Sequence, residues 1–345
     1  MRSRENPMKM TYTGKALNLA LVGSAALALS VTCAMAQDAA TSGSAQGMRL
    51  GFIMASAQNR PDSAMAEGFR RAVEDAGGEA VILSANGSIE RMSNGIMDLI
   101  SQGVKGVATV TMDSVVALNW VESAKDAKIG YVSVTQQIGD PKTTPFEDVN
   151  PDVTAVVAEN YLTTGHRLAR AVIDRGMLPT DRTAKIGIVE GQPGYAMVDQ
   201  LSEGFTAELD AAGIDYEVVF AQPTDWTPAN GQEVCTNGLM AAPDTDVIFS
   251  HAEDMAIGCA QAMEDVEAPG KLVTAAGGAE RASGLVRSGA IALSTCMAWA
   301  DMGAKAAAAL IEQANSGEGA TGRLIETTSA LIDADDLDAA CPNLW

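Results

Sequence analysis

Histidine is nearly absent from this chain: 345 residues contain two, His166 and His251. Neither has a second histidine at helical spacing, so no zinc framework can be assembled around them. Five cysteines occur without any CxxC pair, which removes the common redox and structural-zinc motifs. Basic residues are also scarce, 23 against 44 acidic ones, for a net charge of −21. Such a chain repels phosphate backbones and anionic lipid, which argues against nucleic acid and membrane surfaces as partners. HExxH, GxSxG and GxxxxGK[ST] are missing, and no glycine-rich fingerprint follows the first apolar strand. These absences leave little room for an enzyme, a metal centre or a bound cofactor, and none of the three is expected.

Long apolar runs are missing too, with one exception. Residues 16–31 read ALNLALVGSAALALSV, preceded by Arg2, Arg4, Lys9 and Lys15 and followed by Ala34-Met35-Ala36. A basic start, an apolar centre and small residues at the cleavage positions make residues 1–36 a secretory signal. Cleavage is expected after Ala36, with Met8 or Met10 a more usual start than Met1. Thr32 before Cys33 is a poor lipobox residue, so no lipid anchor is expected. Residues 37–47 read as a linker, and nothing later approaches the length of a membrane span. The remaining 309 residues suit two domains, exported to the periplasm. Four cysteines remain there, Cys235, Cys259, Cys296 and Cys341, and an oxidising compartment favours disulfides. They allow three pairings. Cys235–Cys259 with Cys296–Cys341 is favoured, because the helices carrying the first pair follow consecutive strands.

What is present is a strict alternation of apolar strands and amphipathic helices. LGFIM, EAVILSA, VKGVATV, IGYVSV, AKIGIVE, YEVVFAQ, TDVIFSH, KLVTAAG and IALSTCM are nine strands, each separated by one helical segment. Continuous apolar strands of this kind belong to parallel sheets covered on both faces. Nine are too many for one comfortable sheet, so the expected fold is α/β with two doubly wound lobes. Functional groups then gather where strands end and helices begin. VIFSHAEDMAIG (247–258) is such a turn, carrying His251, Glu253 and Asp254. Acids at a helix start also offset its dipole and satisfy free N–H groups, so their presence alone does not indicate catalysis.

Taken together, five stretches resemble the periplasmic sugar-binding proteins of ABC transporters, of the ribose-binding-protein-like type. They are TVTMDS, GQPGYAMVDQLSEGF, AQPTDW, VIFSHAEDMAIG and SGAIALSTCMAWADMGAKAA, in register along nearly the whole exported chain. The resemblance implies two lobes made of discontinuous segments and joined by three crossovers, placed near residues 139, 267 and 298. The first lobe would comprise 48–139, 268–298 and part of 299–327. The second would comprise 140–267 and 328–345. It also implies a monomer that closes by hinge motion on a small ligand and delivers it to a membrane permease. A sensing role, with the closed form presented to a chemoreceptor or sensor kinase, is the alternative.

The gripping positions depart from the sugar pattern of that family. Its Asp-Arg pair after the fourth strand is replaced by Thr135 and Gln136, and an Arg of the second lobe by Asp199. Its Asn in the 247–258 turn becomes Ala252, an Asp after KLVTAAG becomes Gly277, and a Gln of the return crossover becomes Met297. Expected ligand contacts are therefore Gln58, Asn59, Arg60, Thr135, Gln136, Tyr195, Asp199, Trp226, His251 and Glu253. A sugar or polyol is the expected ligand, with a cationic solute as the alternative because of Asp199.

Overall fold

Runs rich in valine, alanine, isoleucine and glycine, alternating with amphipathic segments, build two parallel sheets in the computed structural model, which describes residues 43–345. The expected signal sequence, Cys33 and the start of the linker lie outside the described residues. The first sheet contains β1 (Arg49–Met54), β2 (Glu79–Ser84), β3 (Gly106–Val110), β4 (Gly130–Val134), β5 (Ala155–Glu159) and β11 (Arg323–Thr327). Its order is β11-β5-β4-β3-β1-β2 with every pairing parallel. All residues of β3, β4 and β5 are buried, as strands covered on both faces must be. Phe52 of β1 turns toward Phe69 of α1 (Arg60–Asp75), whereas its neighbour Gly51 faces Leu99 of α2 (Ile89–Ser101). The two helices therefore lie on opposite faces, α1 beside α9 (Trp299–Ser316) and α2 beside α3 (Ala117–Asp126).

The second sheet holds β6 (Ala184–Glu190), β7 (Tyr216–Pro223), β8 (Val247–Ser250) and β9 (Lys271–Thr274), ordered β7-β6-β8-β9 and again parallel. The helices α4 (Tyr161–Asp174) and α5 (Ala196–Ala211) pack as one pair, α6 (Pro228–Ala241) and α7 (Glu253–Asp265) as another. Two short strands, β10 (Ser294–Cys296) and β12 (Ala330–Ile332), form an antiparallel ribbon, and α8 (Ser283–Ser288) and α10 (Leu337–Ala340) complete the lobe. Three helix pairs share one device. In α1–α9, α4–α5 and α6–α7, each helix presents a glycine to its partner's backbone. A Cβ at Gly303 would stand 1.8 Å from the carbonyl oxygen of Met65, and one at Gly258 1.9 Å from that of Pro228. Any side chain there would push the helices apart.

The two-lobed α/β fold is present, but its boundaries differ from the expected ones. Residues 135–154 contain no helix, so alternation alone hid β5, a further strand that continues the first sheet beside β4. The first crossover therefore comes at Glu159–Tyr161 and not near residue 139. KLVTAAG stays in the second sheet because β9 pairs with β8, Val247 opposite Lys271, so 268–298 does not return to the first lobe. The other crossings lie at Met297–Trp299 and between β11 and β12. Glu159 stitches the first crossing to the last: Ser329 donates to its carboxylate from its backbone nitrogen at 3.0 Å and from Oγ at 2.7 Å, and Thr164 Oγ1 donates as well. Both favoured disulfides are formed: Cys235–Cys259 joins α6 to α7, and Cys296–Cys341 ties β10 to the segment after α10.

Candidate ligand cleft

The carboxyl ends of both sheets converge on a cleft lined from both lobes. From the first lobe come Asn59 and Asp62 at the start of α1, Val110 at the end of β3, and Thr135 after β4. The second lobe supplies Tyr195 and Trp226, together with Ala252 and Asp254 at the start of α7. Trp299, at the second crossover, and Trp345 complete the wall.

The aromatic groups are held in fixed attitudes. Trp226 meets Tyr195 edge-on at 5.7 Å and 83°, and Trp299 meets Trp345 at 6.3 Å and 84°. Trp226 lies across the backbone of Gly191 in the GQPG turn, where a Cβ would sit inside its ring, 1.8 Å from the nearest carbon. Among the described residues six non-glycines have positive φ, and Thr135, Trp226 and Ala276 all line the cleft. A β-branched residue such as Thr135 at φ 74° is strained, and strain of this kind gathers where side chains must be aimed.

Charge in the cleft is largely cancelled. Asp254 pairs with Arg281 of the loop after β9. Asp62 is buried, and burial pushes its carboxyl up to about 7 against the opposing amide donors of Ser56 and Ala55. The Ser56 amide donates to its Oδ2 at 2.8 Å. Trp299 is 4% exposed, and its Nε1–H has no hydrogen-bond partner among the described residues. A buried donor left in that state costs free energy until something accepts from it.

Of the residues singled out from sequence, Asn59, Thr135, Tyr195 and Trp226 line the cleft together. Gln58, Arg60 and Asp199 are exposed and do not line it. Gln136 is buried behind Thr135, where its Oε1 accepts from the Ala196 amide at 3.0 Å and so binds one lobe to the other. Its Nε2 has no partner among the described residues. Glu253 is a brace and not a lining residue: its carboxylate accepts from the Ala279 amide at 2.7 Å and from Ser294 Oγ at 2.8 Å.

His251 also lies beneath the cleft floor, fully buried. Gly191 N–H donates to its Nδ1 at 3.3 Å, which leaves the proton on Nε2, 3.0 Å from Ser202 Oγ. Burial pulls its pKa down to about 3, so the ring is neutral and positions the GQPG turn under Trp226. Among the described residues, no group of three or more His, Cys, Asp or Glu side chains could hold a metal. Sequence reasoning missed Asp62, Asp254, Trp299 and Trp345. The first two are helix-start acids, indistinguishable from ordinary caps, whereas the tryptophans carried a signal in their rarity.

The chain was compared with known proteins. It is 24% identical over 230 residues to the ribose import binding protein RbsB of Bacillus subtilis, covering 67% of this chain and 69% of that protein. It is 27% identical over 222 residues to the D-allose-binding periplasmic protein of Escherichia coli, 64% and 69% of the two chains. The fold superposes on a crystal structure of a galactofuranose binding protein with a TM-score of 0.75 at 18% identity, covering 86% of this chain and 98% of that one. Residues 50–319 match the family described as periplasmic binding protein domain. With most of both sheets inside that match, the chain belongs to the periplasmic binding protein domain family.

Proposed function

We propose that this protein captures one small neutral polyhydroxylated solute, a sugar or polyol, between its lobes in the periplasm. The closed form then presents that solute to the membrane permease of an ABC importer. The observation that carries the reading is the pairing of aromatic walls with an unpartnered buried donor. Indole and phenol faces pack well on the C–H faces of a saturated ring. Trp299 Nε1–H calls for an acceptor, which a hydroxyl oxygen supplies and an ammonium group cannot. The acids of the cleft are compensated by Arg281 or pushed toward neutrality, so a cation finds little free counter-charge. The sugar-binding relatives support the same class. Nothing in the cleft pairs a nucleophile with a base, so the solute leaves unchanged.

A thermal-shift screen of the exported chain against pentoses, hexoses, cyclitols, amines and organic acids tests this. A true ligand at about a hundredfold its Kd adds about 2.7 kcal/mol of stability. Small-angle scattering should then show a monomer that becomes more compact. Stabilisation by amines alone, or recovery of chemically altered solute after long incubation, overturns the reading.

A further inference from the structure

The segment after α10 does not simply cover the surface of the second lobe. Trp345 enters the cleft wall and is seated there by three hydrogen bonds. Its amide donates to Gly278 O at 3.1 Å, its carbonyl accepts from Glu280 N at 2.9 Å, and its indole Nε1–H donates to Gly277 O at 3.0 Å. With the indole nitrogen already satisfied, the ring offers the cleft carbon surface.

Gly277 and Gly278 make this seat possible. A Cβ at 277 would collide with Ser294 Oγ at 2.1 Å and Thr295 O at 2.5 Å. A Cβ at 278, where φ is 95°, would press on Trp345 Nε1 and Cys341 Sγ at 3.1 and 3.3 Å. Cys341, four residues before Trp345, is bonded to Cys296, three residues before Trp299. One covalent bond thus anchors the two segments that bear the edge-to-face tryptophan pair.

We propose that Trp345 is a specificity-determining residue of the cleft, and that Cys296–Cys341 is the latch that keeps it in the wall. The proposal rests on reading the cleft as a ligand site. An open latch frees the tail, removes one aromatic wall and admits larger rings with weaker grip. Cys235–Cys259, between α6 and α7, is not among the lining residues and holds neither tryptophan of this pair, so it has no such role.

The test is isothermal titration of the full exported protein with D-ribose, D-allose, myo-inositol and choline. For whichever probe binds the wild type, Trp345→Ala should lose about tenfold in affinity or more, the scale of a lost aromatic wall. The allose-to-ribose affinity ratio should rise, a readout that general destabilisation would not move. Trp345→Phe should restore most of the affinity. The double variant Cys296→Ser/Cys341→Ser should weaken binding, whereas Cys235→Ser/Cys259→Ser should not. Unchanged affinity and selectivity in Trp345→Ala overturns the proposal. Binding of choline alone overturns the neutral-solute reading and leaves the tail to be judged by the same variants. If no probe binds, anilinonaphthalene sulfonate decides: both tail-side variants must raise its fluorescence at unchanged circular dichroism, and no rise overturns the latch.

Discussion

The two lobes carry out the same architectural plan with different means. The first has six strands, three of them buried along their whole length, and its described residues include no cysteine. The second has four strands in its main sheet, an exposed edge in β7, a register shift at Ile186/Gly187, and both disulfides. Its apolar interior is also divided. One face, with Leu201, Phe205 and Phe249, is continuous with the core of the first lobe, while α6 and α7 cover a separate cluster around Ile248 and Leu272. A smaller sheet buries less surface, and cross-links offset the shortfall. The same contrast reaches the cleft. The first lobe brings small polar groups such as Asn59 and Thr135, and the second brings Tyr195, Trp226 and Trp345, with Trp299 at the crossover between them.

Removing a cross-link of the weaker half should therefore have the largest effect. Cys235–Cys259 closes a loop with a sequence separation of 24, for which chain entropy gives about 3 kcal/mol. Cys235→Ser/Cys259→Ser should unfold the second lobe first in chemical denaturation, with β3 to β5 keeping their amide protection. Simultaneous loss of protection in both lobes would show that the division is false.

Next comes the aromatic side of the cleft. Trp226→Ala should weaken ligand binding by about 1–3 kcal/mol, whereas Asn59→Ala, which removes one neutral hydrogen-bonding group, should cost about 1 kcal/mol. Titration calorimetry that ranks the two the other way would move the grip to the first lobe.

Two buried groups on opposite sides of the cleft respond to pH in opposite senses. Asp62, from the first lobe, has its folded pKa raised from 3.8 to about 7, so the folded state holds the extra proton between those values. Stability from this group falls as pH rises through that window. His251, from the second, has its folded pKa lowered from 6.5 to about 3, so the unfolded state holds the extra proton. Stability from this group rises with pH and is lost as acid passes 6.5 toward 3. Each slope reaches at most about 1.4 kcal/mol per pH unit, and between about pH 4 and 6.5 they oppose each other. Their contributions nearly cancel there, while Glu159, Glu190 and Glu253, whose carboxyls burial also raises, add a fall with rising pH. Asp62→Asn should therefore change stability relative to wild type by an amount that grows with pH, measurable by denaturation at several pH values. A difference that does not grow with pH would mean Asp62 is not held protonated.

How much of this was legible in the sequence depends on how local the signal is. Strands such as GVATV and helices with an apolar stripe announce themselves within a few residues, so the layering and the disulfide between α6 and α7 could be read. β5 could not, because its connection from β4 lacks the helix that marks a parallel crossover elsewhere. The cleft was legible where a residue sits within a few positions of a strand's end, as with Thr135 and Trp226. It was illegible for His251, whose strand-end position is right but whose side chain turns down onto Phe249 at 5.3 Å. Trp299 and Trp345 are brought together by the hinge and a disulfide, contacts that no spacing encodes. Their scarcity was the available clue: the chain has four tryptophans, and three line the cleft.

The smallest expected effect is at Asp199, and it sharpens the comparison most cheaply. The residue falls in the first turn of α5, one turn past Tyr195, on a helix whose inner face carries Leu201 and Phe205. Sequence position alone made it a counter-charge for a cationic solute. Its side chain is instead exposed to solvent, where water and salt screen a carboxylate within about 8–10 Å. What remains is its interaction with the α5 dipole, worth about 0.3–1 kcal/mol at low salt. Asp199→Asn should therefore cost a few tenths of a kcal/mol in stability and leave ligand affinity within about twofold at any salt concentration. The aromatic walls and the paired Asp254 would then account for recognition without it. A large loss of affinity that deepens as salt falls would show Asp199 reaching the solute in the closed form, and the ligand would be a cation.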